Sequence, residues 1–189
     1  MGLLLNPPSD WVTRWAPLLA PGAAVLDLAC GRGRHLRWLA ARGLAVTGVD
    51  RDAEALAPLA AHATTLVADI ESGPWPLAGR VFDAVVVTNY LHRPLLPAVV
   101  AALGPGGLLL YETFAAGQET VGRPSRPDFL LQPGELLAAC AGLEVLAYED
   151  GWLQAPLRRV QRIAALRPPV NAAARILYPG SGHPNPPAG

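Results

Sequence analysis

Short apolar segments alternate with amphipathic segments along most of the chain. A short apolar run predicts a buried strand, and apolar residues spaced three or four positions apart predict one face of a helix. The pattern predicts strands at residues 24–28, 44–49, 64–67, 81–87, 108–112, 143–148 and 157–166. It predicts helices at residues 34–42, from the cap Asp52 to about residue 62, at 94–103 and at 134–141.

This order of elements predicts an α/β fold. Strands that alternate with helices favour a doubly wound, mostly parallel sheet with helices on both faces, here of seven strands. The last two strands are close enough in sequence to form an antiparallel hairpin at or near one edge. We expect one domain over residues 1–167, an irregular segment at 113–132, and a Pro- and Gly-rich tail at 168–189.

Composition narrows the class of protein. A chain of 189 residues favours a single domain, and 51% hydrophobic with 16% charged residues excludes general disorder. The apolar runs are much shorter than the ~20 residues of a membrane span. The N-terminus lacks the basic region of a signal peptide, and two cysteines are too few for a disulfide framework or a cysteine-based zinc site. We therefore expect a soluble, cytoplasmic protein without a metal.

Charge is balanced overall but not along the chain. All fifteen cationic residues are arginine, and they equal the fifteen acids. Residues 151–189 carry five arginines and no acid, which could bind an anionic partner. The alternative is a solvated strand edge, where cations discourage pairing with other strands.

Acids stand at the ends of the first three predicted strands. Ligands of open α/β sheets bind beyond the carboxyl ends of the strands, so Asp27, Asp50 and Asp69 should meet at one edge. A carboxylate at Asp50 can accept both hydroxyls of a ribose. Leu36 occupies the third glycine position of the dinucleotide fingerprint, and Asp27 suits a cationic or zwitterionic ligand better than a pyrophosphate.

Five segments together resemble the class I S-adenosylmethionine-dependent methyltransferases. They are VLDLACGRGRH (25–35), VTGVDRD (46–52), VADIE (67–71), FDAVVVTNYLHR (82–93) and LGPGGLLLYETF (103–114). They occur in the order and spacing of that family, over roughly residues 10–166. The chain looks most similar to small single-domain enzymes related to tellurite-resistance and small-molecule methyltransferases. The resemblance implies a Rossmann-like methyltransferase fold.

The resemblance implies S-adenosylmethionine as the cofactor and a role for each matched position. The loop would pass under the methionine part, an acid would bind its amino group, and further residues would bind the ribose, the adenine face, the adenine edge and the cofactor carboxylate. The loop residues are Ala29 (often glycine in the family), Gly31 and Gly33, and the acid for the amino group is Asp27. Asp50 would bind the ribose and Arg51 the adenine face. Asp69 with Ile70 would bind the adenine edge, and Arg14 the cofactor carboxylate. Asn89 would line the wall near the reactive methyl together with Tyr90.

Methyl transfer from a sulfonium needs alignment more than acid–base chemistry. Tyr90, His92 and Glu112 follow the fourth and fifth strands and are the candidate catalytic residues. His92 is the best candidate for a general base, the alternative being a histidine that serves local hydrogen bonds at a helix start. Glu112 is either a substrate ligand or a strand-end carboxylate. The 113–132 segment is expected to cover the pocket as a substrate lid.

Three functions stay open. The first is a methyltransferase acting on a small molecule, with no membrane or nucleic-acid partner, as a monomer or homodimer. The second is an RNA or protein methyltransferase, which the arginine-rich end would favour and the neutral net charge disfavours. The third is a catalytically inactive domain that binds the cofactor or a partner.

Overall fold

The computed structural model describes residues 7–170. Its strands are β1 Ala24–Leu28, β2 Ala45–Asp50, β3 Thr64–Val67, β4 Phe82–Thr88, β5 Leu103–Phe114, β6 Glu144–Gln154 and β7 Leu157–Leu166. Its α-helices are α1 Asp10–Trp15, α2 Arg34–Ala40, α3 Ala53–Leu56, α4 Leu96–Ala101 and α5 Glu135–Ala139. Short 3₁₀ helices occur at Ala16–Leu18, Ala57–Leu59, Arg93–Leu95, Gln118–Thr120 and Pro127–Phe129.

The strands form one sheet in the order β3-β2-β1-β4-β5-β7-β6. Strands β1 to β5 are parallel, and β7 pairs antiparallel with both β5 and β6. The predicted α/β fold and the closing hairpin are therefore confirmed. The chain reverses its winding direction between β1 and β4, which makes the carboxyl ends of these two strands the switch point of the sheet.

Side chains that alternate along the strands supply a core on each face of the sheet. Leu26 and Leu28 of β1 pack on the face that α4 and α5 cover, through Val99 and Leu136. Val25 packs on the other face, together with apolar residues of α1, α2 and α3. Asp27 has the same parity as Val25 and therefore lies on the α1 and α2 face.

Several element boundaries differ from the predictions. The predicted helix from Asp52 is only α3 followed by a 3₁₀ turn, because Pro58 cannot donate a backbone hydrogen bond there. The predicted helix at 94–103 starts as a 3₁₀ turn and ends at Ala101. The pattern did not predict α1.

The glycine-rich segment 104–107 lies within β5 rather than in a turn before it. Leu103 already pairs with Phe82, and the register then shifts so that Leu108 pairs with Ala84. The intervening residues bulge out, and the N–H of Gly106 donates to the carbonyl of Arg167 at 2.8 Å. The backbone of this segment is thus bonded to the sheet, which the prediction of a free turn missed.

No helix within residues 7–170 is long and apolar enough to cross a membrane. The tail predicted from Pro168 lies, beyond Val170, outside the described residues.

Candidate active site

A cavity of about 290 Å³ opens at the switch point of the sheet. The loops that follow β1, β2, β3 and β4 all contribute to its wall. Its lining residues are Ala29, Asp50, Arg51, Ala68, Asp69, Ile70, Glu71, Asn89 and Tyr90. We call it the first cavity. It brings together most of the residues that the sequence predicted to bind a nucleoside.

A second cavity of about 240 Å³ adjoins the first. The two share Glu71, Asn89 and Tyr90, which form the boundary between them. The second cavity is otherwise lined by Leu91, Thr113, Phe114, Pro124 and Phe129. Its wall is mainly apolar and comes from the ends of β4 and β5 and from the segment that follows β5.

Asp50 is held by backbone groups at the floor of the first cavity. Its Oδ2 accepts from the N–H of Gly31 at 2.7 Å, and its Oδ1 accepts from the N–H of Asp52 at 3.0 Å. Asp52 in turn caps α3 by accepting from the N–H of Ala55, as predicted. Since each carboxylate oxygen has two lone pairs, Asp50 can still accept two hydroxyl groups.

Asp69 is exposed and ionised. Its Oδ1 accepts from the backbone N–H groups of Glu71 at 3.0 Å and Ser72 at 3.3 Å. These two bonds, with a smaller effect of Arg51, hold the pKa of Asp69 below its ordinary value. The neighbouring Ile70 is buried against the core. Asp69 therefore offers a fixed anionic acceptor at the rim of the cavity.

Gly31 and Gly33 serve different purposes. Both have positive φ, +52° and +69°. A Cβ at Gly33 would lie 2.5 Å from Leu59 Cδ1, so packing against the 3₁₀ turn after α3 requires this glycine. A Cβ at Gly31 would meet nothing within 4 Å. The loop therefore leaves open space at Gly31, and the expectation that both glycines let it pass under the methionine part of the cofactor stays a prediction.

Two residues that carry a Cβ also adopt a left-handed backbone conformation beside the first cavity. Ala29 has φ 53° and Asn89 has φ 55°. This conformation costs roughly 1–2 kcal/mol for a residue with a Cβ. Strained backbone of this kind concentrates at functional sites, so both positions support a binding role for the loops after β1 and β4.

Tyr90 stands between the two cavities. Burial raises the pKa of its phenol above the ordinary value, and the nearby charge of Glu71 raises it further. The phenol is therefore neutral near pH 7 and can donate a hydrogen bond rather than remove a proton. The backbone carbonyl of Tyr90 accepts from the hydroxyl of Tyr111 at 2.9 Å, which fixes this loop to β5.

Glu112, predicted as catalytic, faces away from both cavities. It is fully buried, its Oε2 accepts from the hydroxyl of Ser9 at 3.1 Å, and it forms an ion pair with Arg162 at 3.3 Å. Tyr111 points to the opposite face, since successive side chains of a strand alternate. The prediction identified the right strand end, but Glu112 lies on the α1 face.

His92 does not line either cavity. It precedes the 3₁₀ turn Arg93–Leu95, and its carbonyl accepts from the N–H of Leu95 at 2.9 Å. The geometry thus favours the alternative of a histidine at a helix start over a general base.

Arg93 anchors the segment 113–132. Its guanidinium pairs with Glu135 at 2.6 Å and donates to the carbonyls of Asp128 and Leu130 at 2.9 and 2.8 Å. Further backbone bonds join the two ends of the segment, including Ala116 N–H to Leu131 O at 2.9 Å. The segment forms a bonded wall of the second cavity in this structure.

Arg14, predicted to bind a cofactor carboxylate, is exposed on α1. Its guanidinium lies over the rings of Trp11 and Trp15, at 5.7 and 5.1 Å from their centres. It also pairs with Glu149 at 3.4 Å. These contacts hold it outside both cavities.

Asp27 is buried under α2. Burial raises the pKa of its carboxyl to about 7, the N–H of Leu36 and the charge of Arg34 oppose this, and Asp50 adds to it. Its side chain is only 1% exposed, and its Oδ2 has no hydrogen-bond partner within residues 7–170. A buried acceptor without a partner is uncommon and needs an explanation.

Sequence reasoning missed a group of polar residues buried beneath α1. His35 accepts from the backbone N–H of Ser9 at 3.0 Å, and its other ring nitrogen lies 3.3 Å from the hydroxyl of Thr88. Burial lowers the pKa of His35 to about 3, so the ring is neutral. The alternation of β5 and β7 places Glu112 and Arg162 on this same face, a signal that the sequence did contain.

The arginines of β7 are not a solvated edge. Arg162 is 7% exposed and pairs with Asp10 at 3.0 Å, with Glu112 and with Glu149. Arg159 pairs with Asp150.

Within residues 7–170, the structure contains no group of three or more histidines, cysteines, aspartates or glutamates that could bind a metal ion.

Residues 25–107 match the family model described as "Methyltransferase domain". The matched residues run from β1 into β5 and include most of the loops that line the first cavity. The match and the fold together support a class I S-adenosylmethionine-dependent methyltransferase. S-adenosylmethionine is the cofactor of that family.

Three relatives illustrate the similarity. A trans-aconitate 2-methyltransferase of Delftia acidovorans is 33% identical over 150 residues, which are 70% of this chain and 55% of the relative. TehB from Haemophilus influenzae has a TM-score of 0.71 at 22% identity, over 86% of this chain and 63% of that one. A TehB-like S-adenosylmethionine-dependent methyltransferase from Corynebacterium glutamicum has a TM-score of 0.63 at 20% identity, over 83% and 86%. This chain therefore spans about half the length of the curated relative.

Proposed function

We propose that the chain transfers the methyl group of S-adenosylmethionine to a small-molecule acceptor. The observation that carries this proposal is the pair of adjoining cavities. One is lined by the strand-end acids Asp50 and Asp69, the other is mainly apolar, and they meet at Asn89 and Tyr90. A donor and an acceptor bound in adjoining cavities can react across such a boundary.

The residues of the first cavity fit an adenosine. Asp50 has free lone pairs for two ribose hydroxyls, and Arg51 can lie against the adenine face. Asp69 can accept from the exocyclic amino group, and the backbone at Ile70 can serve the ring edge. The loop at Gly31 leaves open space for the chain that carries the sulfur.

The chemistry is an in-line displacement. The bound cofactor supplies a methyl group on a positively charged sulfur. The nucleophilic atom of the acceptor would donate an electron pair to that methyl carbon, and the electron pair of the carbon–sulfur bond would stay with the sulfur. A proton carried by the nucleophile leaves to solvent. The protein aligns the reacting atoms, and such alignment can supply about 7–11 kcal/mol.

Asn89 and Tyr90 are the residues we assign to this alignment. They belong to both cavities, so they contact donor and acceptor at once. The neutral phenol of Tyr90 can donate to an acceptor oxygen without competing for the proton. Neither His92 nor Glu112 lines the cavities, so we assign no general base to them.

A small acceptor suits the second cavity. Its volume of about 240 Å³ is below the range of roughly 300–1,000 Å³ typical of sites for drug-sized ligands. The Delftia relative, named a trans-aconitate 2-methyltransferase, supports a small acceptor as well. An RNA acceptor has less support, because Arg159 and Arg162 are engaged in ion pairs within the fold.

The first test is the binding of S-adenosylhomocysteine, measured by calorimetry. The second test is turnover of S-adenosylmethionine with a panel of acceptors, measured as the S-adenosylhomocysteine that is released. The panel contains thiols, phenols, amines, carboxylic acids and tellurite. We expect binding and turnover with one of these classes. Absence of binding would refute the proposal. Binding without turnover on any small acceptor, but with turnover on RNA or protein, would refute the acceptor class.

A further inference from the structure

The boundary between the two cavities carries a negative charge and a buried hydroxyl. Its three residues are Glu71, Asn89 and Tyr90. Burial raises the pKa of the phenol of Tyr90 and the charge of Glu71 raises it further, so the carboxylate lies beside the hydroxyl. The two groups do not form a hydrogen bond of ordinary geometry, and the hydroxyl has no partner among the described residues. A buried polar atom without a partner points to a ligand at this boundary.

The rest of the second cavity offers an acceptor mainly apolar surface. Leu91, Phe114 and Phe129 supply most of it, and Glu71 supplies a carboxylate. Among the described residues, those that line this cavity include no arginine, lysine or histidine. This wall fits a ligand that has an apolar body and a group that donates hydrogen bonds.

Arginines near the second cavity do not line it. Arg126 pairs with Asp128 at 2.7 Å, and its side chain is 71% exposed to solvent. Arg93 donates to backbone carbonyls of the segment 113–132 and so holds this wall from behind. Arg51 lines the first cavity and not the second. An anionic acceptor in the second cavity would therefore meet Glu71 with no lining cation to offset its charge.

We propose that the acceptor is a primary or secondary amine with an apolar body, whose nitrogen lies at the boundary and donates a hydrogen bond to Glu71. This inference rests on the proposed function, because it names the acceptor class for the same site. A second N–H of a primary amine can donate to the hydroxyl oxygen of Tyr90. These two bonds leave the lone pair of the nitrogen free to face the methyl carbon.

The transfer balances for an amine that enters as the free base. The nitrogen would give its lone pair to the methyl carbon while the carbon–sulfur bond breaks and its electron pair stays with the sulfur. The positive charge thereby passes to the nitrogen, which then loses one proton to solvent and leaves as the neutral methylated amine. Because positive charge remains at the boundary throughout, the carboxylate of Glu71 stabilises the transition state.

The same carboxylate disfavours other acceptor classes. With a thiolate, a carboxylate or tellurite, the opposite charges of the two reacting groups cancel as the new bond forms. Glu71 would then favour the charged reactants over the transition state, and it would also repel the incoming anion. A neutral alcohol is not repelled, but its oxygen is a much weaker nucleophile than an amine nitrogen.

Matched acceptors separate these classes. Each of three apolar bodies (phenylethyl, isopentyl and cyclohexylethyl) is offered as the amine, the alcohol, the thiol and the carboxylate, and the released S-adenosylhomocysteine is measured near pH 9. We expect kcat/KM to be at least tenfold higher for an amine than for its counterparts. An equal or higher value for another class, or no turnover of any amine by a chain that binds S-adenosylhomocysteine, would overturn the amine assignment alone. If S-adenosylhomocysteine does not bind, the proposed function fails first.

A substitution tests the carboxylate itself. Glu71 is exposed, so Glu71→Gln should leave the fold intact. Because it removes a charge-assisted hydrogen bond, it should lower kcat/KM for the amine at least tenfold and leave the affinity for S-adenosylhomocysteine within threefold. Glu54→Gln, at an exposed position of α3 that lines neither cavity, is the matched control and should change neither quantity. Unchanged kcat/KM in Glu71→Gln, or an equal loss of S-adenosylhomocysteine affinity, would overturn the role of Glu71.

A binding measurement completes the test without turnover. Calorimetry at pH 7 on the complex with S-adenosylhomocysteine should show that 2-phenylethylamine, which is then an ammonium, binds at least tenfold more tightly than phenylacetate. Glu71→Gln should remove this preference and Glu54→Gln should keep it. Equal affinities of the two probes in the unmodified chain, or tighter binding of phenylacetate, would overturn the proposal.

Discussion

Two regions at the same edge of the sheet treat their acids in opposite ways. In the first cavity, Asp69 is exposed and its pKa is lowered by two backbone N–H groups. Beneath α1 and α2 lie four charged residues that we call the charged cluster: Asp27, Arg34, Glu112 and Arg158. In this cluster, Asp27 is buried and its pKa is raised to about 7. In the first cavity the buried hydroxyl of Tyr90 has no hydrogen-bond partner among the described residues, whereas every residue of the charged cluster has a buried atom of its charged group without one.

This difference in pKa determines whether each acid stabilises the fold at high pH or at low pH. The stabilising contribution of Asp69 is present above its unfolded pKa and is lost as the pH falls through its lower folded value. For Asp27 the contribution is present at low pH and is lost as the pH rises through about 7. At neutral pH the burial of Asp27 therefore costs stability.

The largest expected effect is on the free energy of unfolding and comes from a substitution in the charged cluster. Glu112→Ala removes one acid of a buried ion pair and leaves Arg162 and Arg34 without it, which should cost about 3–5 kcal/mol of unfolding free energy. Urea denaturation near pH 7 measures this. Asp69→Ala, in the exposed cavity, is the matched control and should change stability little. Equal effects of the two substitutions would contradict the contrast between the regions.

The next effect is on ligand affinity in the first cavity. Asp50→Ala removes the acceptor for the ribose hydroxyls and the bonds to Gly31 and Asp52, so S-adenosylhomocysteine should bind at least tenfold more weakly, about 1.4 kcal/mol. Asp52→Ala removes only the cap of α3 and serves as the control in calorimetry. Unchanged affinity in Asp50→Ala would show that the ribose assignment is wrong.

A smaller effect is the pH dependence of binding. The resemblance implies that Asp27 binds the ammonium of the cofactor. Asp27 is protonated below about pH 7, and an ammonium favours its ionised form, so binding of S-adenosylhomocysteine should release a proton. The affinity for this ligand should therefore rise with pH, by up to about tenfold between pH 6 and 8. The other groups that face Asp27 are Arg34, Asp50 and Cys30, and burial raises the pKa of the Cys30 thiol beyond this range.

The control for this pH profile is Asp27→Asn, which should bind S-adenosylhomocysteine with nearly the same affinity throughout that range. Calorimetry in buffers of different ionisation enthalpy reports the released proton directly. A profile that keeps its slope in Asp27→Asn would assign the proton to another group.

The smallest effect concerns the strained loop after β1. Ala29→Gly relieves a backbone φ of 53° but adds entropy to the unfolded chain, so stability should rise by at most about 1 kcal/mol. Ala138→Gly, at an exposed helical position of α5, should instead lose about 1 kcal/mol. Thermal unfolding distinguishes the two, and a loss in Ala29→Gly would show that this backbone is not strained.

The strand ends could be predicted because the pattern there is local. The acids at 27, 50 and 69 each follow a short apolar run, and β1 and β3 have the predicted bounds. The parallel order of the sheet brings their ends together, and the first cavity contains Asp50 and Asp69 as expected. Short-range periodicity was sufficient for this part of the site.

The charged cluster could not be predicted because it depends on contacts distant in sequence. Glu112 was correctly placed at a strand end, and the alternation within β5 puts it on the α1 face, but its pairing with Arg162 depends on the register between β5 and β7. Helix α1 is only six residues long and shows too little periodicity to be recognised. Arg158 and Arg34 are 124 positions apart, and no local pattern relates them.

The most direct measurement is a crystal structure of the chain with S-adenosylhomocysteine. We predict the ribose hydroxyls on Asp50 and the adenine beside Asp69. A complex with the ligand elsewhere, or one in which Asp50 faces solvent and makes no contact with it, would contradict the assignment of this edge of the sheet as the methyl-donor site.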